Sequence, residues 1–78
     1  MKLVITPHAK SRIKKYQLNS EVVKDTLKNP ETILQGYRNR KIAQKSLNSH
    51  LLRVIFEKKK NINVVVTVYK ARRDRYEV

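Results

Sequence analysis

The chain has 78 residues, and 19 Lys and Arg against 6 Asp and Glu give it a formal net charge of +13. This length is that of a single domain, expected over 1–78, with a modest core. The absence of Cys excludes disulfides, thiolate zinc sites and cysteine nucleophiles. The longest apolar runs are three residues, as over 64–66, which excludes a transmembrane helix and a signal-peptide core. We therefore expect a soluble, cytoplasmic domain that does not bind a membrane.

The positive charge is the most informative property of the composition. Its field repels basic partners and attracts polyanions over several ångströms. Nucleic acid is the partner that this charge favours most. An acidic protein partner is an alternative, and a merely solubilising surface is the plainest interpretation, although solubility does not require so large an excess.

The N-terminal part of the chain predicts one strand and two helices. Alternating apolar residues over 1–5 are typical of a short strand. Thr6 can cap the free amides of a first helix, with proline at the first helical position, and this helix stops near Tyr16. A second helix begins at the capping residues at 19–20 and ends at the Asn-Pro pair at 29–30.

The rest of the chain predicts strands. Apolar and β-branched residues are frequent over 32–37, 41–47, 51–56 and 62–69, and short polar segments separate these runs. Such spacing is typical of an antiparallel meander, to which 70–78 adds a final short strand or a tail. The predicted class is α+β, with both helices packed on one face of the sheet.

Alternation along the strands predicts which residues face the helices. The even positions of 52–56 and of 62–68 are assigned to the core. The odd positions, including Arg53 and Tyr69, are assigned to the open face of the sheet. An arginine on the open face in the middle of an apolar strand suggests a function.

Several segments resemble a widespread small prokaryotic family of uncharacterised domains, which is similar in layout to the RelE, ParE and BrnT toxins of toxin–antitoxin pairs. The resemblance covers nearly the whole chain and rests on TPHA at 6–9 followed by Arg12, NP at 29–30, IAQK at 42–45, LRVIF at 52–56 and VVVTVY at 64–69. It implies the RelE-like fold, in which two helices pack on one face of a curved antiparallel sheet. RelE-like ribonucleases cleave RNA without metal, whereas the ParE branch acts on DNA gyrase.

Metal-free cleavage of RNA needs a base for the 2′-hydroxyl, a cation for the phosphorane and an acid for the leaving oxygen. The carboxylates are scattered along the sequence, so we expect no metal site and no cofactor. Arg53 is the candidate cation, with a pair to Glu57 as the alternative interpretation. Lys41 and Lys45 share one side of the neighbouring strand and are candidates to reach the same phosphate or act as a base, or else are solvated lysines.

Other residues are candidates for proton transfer or RNA binding. His8 is a candidate base or acid, or else a helix-start residue that bonds locally. Tyr69 is a candidate to stack on a base or donate a proton. The residues assigned to RNA binding, chiefly by phosphate contact, are Arg12, Arg72, Arg73, Arg75 and Tyr76.

The sequence and the resemblance together predict a metal-independent ribonuclease toxin. It would cut RNA, including ribosome-bound message, to inhibit translation, and an acidic antitoxin would neutralise it. Two alternatives use the same charge. One is a non-catalytic nucleic-acid-binding or regulatory module, and the other is a ParE-like gyrase poison.

Overall fold

The computed structural model describes residues 2–72 and has two helices and a five-stranded mixed sheet. This confirms the α+β class and the predicted order of elements. Residues 70–72 continue the last strand, and 73–78 lie outside the described residues. The elements are β1 (Lys2–Ile5), α1 (Pro7–Lys15), α2 (Ser20–Lys28), β2 (Thr32–Gln35), β3 (Lys41–Leu47), β4 (His50–Lys59) and β5 (Ile62–Arg72).

Both helices begin at the capping residues that the sequence predicts. The Thr6 hydroxyl oxygen accepts a hydrogen bond from the backbone N–H of Ala9 at 3.1 Å. The same hydroxyl donates to the carbonyl of Val66 at 3.1 Å, which ties the start of α1 to β5. Asn19 Oδ1 accepts from the N–H of Val22 at 2.9 Å. These bonds satisfy amides that lack partners within a helix.

The sheet has the strand order β1-β5-β4-β3-β2. The last four strands form the predicted antiparallel meander. The prediction of a wholly antiparallel sheet is wrong, because β1 pairs in parallel with β5, Lys2 lying opposite Ile62. This pair joins segments far apart in sequence, and local alternation specifies neither a partner nor a direction. The resemblance also implies a curved sheet, whereas this sheet is not strongly curled.

A single hydrophobic cluster joins both helices to one side of the sheet. Ala9 of α1 and Val23 of α2 are fully buried in it. We call the sheet face in this cluster the helix face and the opposite one the open face. The strand residues of the cluster are Ala43, Leu52, Val54, Phe56, Val65 and Val68.

An irregularity in β5 changes which residues reach the helix face. Phe56 pairs with Val65, whereas Ile55 pairs with Thr67, so β5 has one extra residue at this point. A bulge of this kind shifts the alternation of one strand against its neighbour. The prediction that even-numbered residues of β5 face the core is therefore confirmed at Val68. It is wrong before the bulge, where the odd-numbered Val65 is fully buried instead.

Candidate nucleic-acid interface

Three polar side chains form a row across the open face, and we call Gln44, Arg53 and Tyr69 the polar row. Gln44 pairs with Arg53 in the β3–β4 ladder, and Arg53 pairs with Tyr69 in the β4–β5 ladder. Because directly opposite residues in a sheet lie on the same face, the three side chains are neighbours. The guanidinium carbon of Arg53 lies 5.5 Å from the centroid of the Tyr69 ring, within the range of a cation–π contact.

Arg53 is on the predicted face, but it is not the surface residue that we expected. Only 7% of Arg53 is exposed. It occupies a central strand between two paired neighbours, and its guanidinium lies over the Tyr69 ring. Glu57, the partner in the alternative interpretation, accepts a 3.0 Å hydrogen bond from Nε of Arg40. Arg53 therefore contributes to the packing of the sheet.

The structure separates His8 and Arg12 from the polar row. His8 is exposed at the second position of α1, and Arg12 is half-buried in the last turn of that helix. Because α1 packs against the helix face and Arg53 lies on the open face, the sheet stands between them. The structure thus does not bring His8 and Arg53 together for proton transfer at one phosphate.

Lys41 and Lys45 share one face of β3 as predicted, but it is the wrong face for the polar row. Lys41 lies opposite Phe56 and Lys45 opposite Leu52, both on the helix face. The Lys45 Nζ is 2.7 Å from Oδ2 of Asp25 in α2, beside a cleft of about 300 Å³. This hydrogen bond lowers the pKa of the Asp25 carboxyl from its usual 3.8. Lys45 therefore connects α2 to the sheet.

The C-terminal basic run is described only in part. Arg72 is exposed at the end of β5, where it lies opposite His50. The predicted RNA-binding residues Arg73, Arg75 and Tyr76 lie outside the described residues. Their assignment stays a prediction.

Next to the polar row, the open face holds a groove of about 540 Å³. Ile42, Ile55 and Thr67 form one row across it. Each is two residues along its strand from a member of the polar row, a separation of about 7 Å. Tyr37, which is 91% exposed, lies at this groove. The residues that line this Tyr37 groove are Gln35, Gly36, Tyr37, Arg40, Ile42, Ile55 and Thr67.

A tight turn between β2 and β3 holds Tyr37 in place. The N–H of Arg40 donates to the Tyr37 carbonyl at 3.0 Å, and the N–H of Gly36 donates to the Arg40 carbonyl at 2.8 Å. Arg38 and Asn39 adopt left-handed backbone angles, with φ of 55° and 63°. Asn tolerates this conformation, whereas for Arg it costs about 1–2 kcal/mol. The turn is therefore ordered by its hydrogen bonds and strained at Arg38.

A family model described as "Domain of unknown function (DUF4258)" matches residues 5–70 of the chain. The chain belongs to this family. The match spans both the polar row and the Tyr37 groove, so both are parts of the DUF4258 domain. Comparisons with curated proteins and with solved structures gave no match.

Two further findings concern the described part of the DUF4258 domain. No helix within residues 2–72 is long and apolar enough to cross a membrane. Over the same residues, no group of three or more His, Asp or Glu side chains is placed to hold a metal ion.

Sequence reasoning missed three residues of these sites in the DUF4258 domain. Gln44 is 6% exposed, and its Oε1 has no hydrogen-bond partner among the described residues. Its position on the open face follows from the register with Arg53, which the sequence alone does not contain. Tyr37 and Arg40 could have been found from the sequence. The segment YRNR at 37–40 places an aromatic residue beside two arginines, a combination typical of nucleic-acid binding.

Proposed function

We propose that the protein binds RNA through its basic surface. The charge imbalance carries this proposal: 6 Asp and Glu cannot neutralise 19 Lys and Arg. The carboxylates of the described residues also already have polar partners. Glu21 is paired with Lys24, Asp25 with Lys45, Glu57 with Arg40 and Lys59, and Glu31 accepts hydrogen bonds from Ser46. The excess cations therefore face solvent or a polyanion.

The helix α1 carries much of this excess. Lys10, Lys14 and Lys15 are exposed, Arg12 is half-buried, and α1 contains no acidic residue. Cations in the last turn of a helix interact favourably with its dipole, but Lys10 lies in the first half of α1. Repulsion between Lys10 and Lys14, four residues apart, destabilises the helix by about 0.2–0.5 kcal/mol. Helix stability does not account for this arrangement, whereas contact with phosphates does.

The test is the salt dependence of binding between the purified protein and single-stranded RNA. We expect log K to fall linearly with log salt, by about 0.7 for each phosphate contact. A Lys10→Gln, Lys14→Gln double variant should reduce the slope by about 1.4 if both lysines contact phosphates. Lys24→Gln is the control, because Lys24 is already paired with Glu21 on α2. Absence of salt-dependent binding to RNA contradicts the proposal.

A second candidate is metal-independent RNA cleavage by a RelE-like toxin with an acidic antitoxin as its partner. The resemblance and the order of elements support it, and so does the contact between Arg53 and Tyr69 on the open face. Solvent water would accept the proton of the 2′-hydroxyl as it attacks the phosphorus. Arg53 would stabilise the phosphorane, and the Tyr69 hydroxyl would protonate the leaving 5′-oxygen. His8, Lys41 and Lys45 would take no part at this phosphate, because they lie with the helix side of the sheet.

Incubation with free RNA and ribosome-bound message in EDTA tests the second candidate. We expect Tyr69→Phe to slow cleavage by about 10²–10⁴-fold, since it removes the proton donor but keeps the ring beneath Arg53. Tyr16→Phe, on the other side of the protein at the end of α1, is the matched control and should leave the rate unchanged. Intact RNA with every substrate excludes cleavage. Intact RNA with broken DNA in expressing cells indicates the ParE-like alternative.

A further inference from the structure

Tyr37 is exposed where the fold gives it no structural role. Its exposure of 91% is far above that of the other exposed large hydrophobic residues that the structure describes, Val4, Ile33 and Leu34, which range from 36% to 52%. The ring contributes almost nothing to the core, yet hydrogen bonds order the turn that carries it. The neighbouring groove offers the apolar side chains of Ile42 and others to a ligand. An aromatic ring held in water beside an apolar groove is an arrangement typical of binding sites.

We propose that the Tyr37 groove binds a base of single-stranded RNA, which stacks on the Tyr37 ring. This inference rests on the proposed function and names where the base is held. Stacking on an exposed aromatic side chain beside basic residues is the general mode of single-strand recognition. Arg38 and Arg40 are in the same turn and supply positive charge for the flanking phosphates. A second copy of this chain is a poor occupant, because each copy carries a net charge of +13.

An ion pair holds Arg40 beside the groove. Its Nε donates to Oε1 of Glu57 at 3.0 Å, and the guanidinium has further N–H groups for a phosphate. The hydrogen bond from Arg40 lowers the pKa of the Glu57 carboxyl from its usual 4.5, because the guanidinium favours the ionised form. Arg40 is therefore positioned before a ligand arrives, which reduces the entropy lost on binding.

The groove continues into the polar row along the same face. Thr67 lines the groove, and Tyr69 is two residues further along β5, a distance of about 7 Å. Tyr69 is half-buried on the same face, and its ring contacts the Arg53 guanidinium. An extended single strand that places one base at Tyr37 can run toward Tyr69. A double helix cannot present an unstacked base in this way.

Fluorescence anisotropy with a short oligouridylate, at one fixed salt concentration, tests the role of the ring. We expect Tyr37→Ala to weaken binding by about 5- to 100-fold and Tyr37→Phe to leave it nearly unchanged, since stacking needs the ring and not the hydroxyl. In a separate salt titration, Tyr37→Ala should keep the slope of the wild type, because no phosphate contact is removed. Lys24→Ala, at an exposed residue of α2 on the helix side of the sheet, is the control for a general loss of affinity. Circular dichroism checks that each variant is folded.

A second measurement reports on stacking directly. The chain has no Trp, so Tyr37→Trp and the matched Tyr16→Trp each introduce a single indole. We expect oligouridylate to quench the emission of Tyr37→Trp, and to leave that of Tyr16→Trp unchanged. If the wild type binds RNA but Tyr37→Ala binds equally well and Tyr37→Trp is not quenched, the inference is wrong and the proposed function stands. If the wild type binds no RNA, both are wrong. If polyglutamate alone changes the Tyr37→Trp emission, the groove is a docking site for an acidic protein segment.

Discussion

Replacing Arg53 by alanine tests whether this residue stabilises the sheet. The substitution removes two buried methylenes beyond Cβ, at about 0.8 kcal/mol each. It also removes the contact with the Tyr69 ring, worth about 0.5–2 kcal/mol. Together these losses predict a decrease of about 2–4 kcal/mol in the free energy of unfolding. A domain of this length has about 4–12 kcal/mol in total, so the decrease is easily measured.

The assay is urea unfolding followed by circular dichroism, with Lys58→Ala as the matched control. Lys58 is on the same strand and carries the same charge, but it is exposed, so its removal should cost less than about 0.5 kcal/mol. Both variants lose one positive charge, so the difference between their free energies of unfolding reports the contribution of the buried Arg53 side chain. Equal unfolding midpoints for the two variants would refute the reasoning and show that Arg53 contributes charge only.

Three further predictions concern stability. Thr6→Ala removes the cap of α1 and the hydrogen bond to β5, so thermal unfolding should show a loss of about 1–2 kcal/mol in the free energy of unfolding. Thr6→Ser keeps the hydroxyl and should not show this loss. An equal loss in both variants would mean that the hydroxyl is not responsible. Because Lys45 lowers the pKa of Asp25, the pair contributes stability above the ordinary pKa near 3.8 and loses it as the pH falls through the lower, folded-state value. Acidification should therefore lower the urea midpoint of the wild type more than that of Asp25→Asn, and parallel curves would contradict this. Lys60→Gly should stabilise the protein by up to about 1 kcal/mol in urea unfolding, since Lys60 has a φ of 54°; a loss of stability would show that its side chain is needed.

Local signals were sufficient for the type and order of the secondary-structure elements, although β2 ends at Gln35 rather than at Tyr37. Thr6 and Asn19 cap the two helices because a short polar side chain in front of an apolar-periodic segment satisfies free amides, and this depends on neighbours in sequence. The antiparallel meander over β2–β5 also depends on neighbours in sequence. The polar segments that connect consecutive strands are too short for a crossover, so each strand pairs with the next in the antiparallel direction. The placement of Tyr69 on the open face was also predictable, since alternation beyond the bulge is regular.

The sites depend on contacts between distant parts of the chain. Alternation placed Lys41 and Lys45 on one side of β3, but only the packing of α2 decides that this side is the helix face. The parallel pairing of β1 with β5 and the bulge in β5 arise from strand register, and the burial of Arg53 arises from its two paired neighbours. The groove beside Tyr37 forms because Ile42, Ile55 and Thr67 come together from three strands. Alternation along a strand shows that the two faces of the sheet differ. It does not show which face the helices cover, because a face is buried only when another element packs on it.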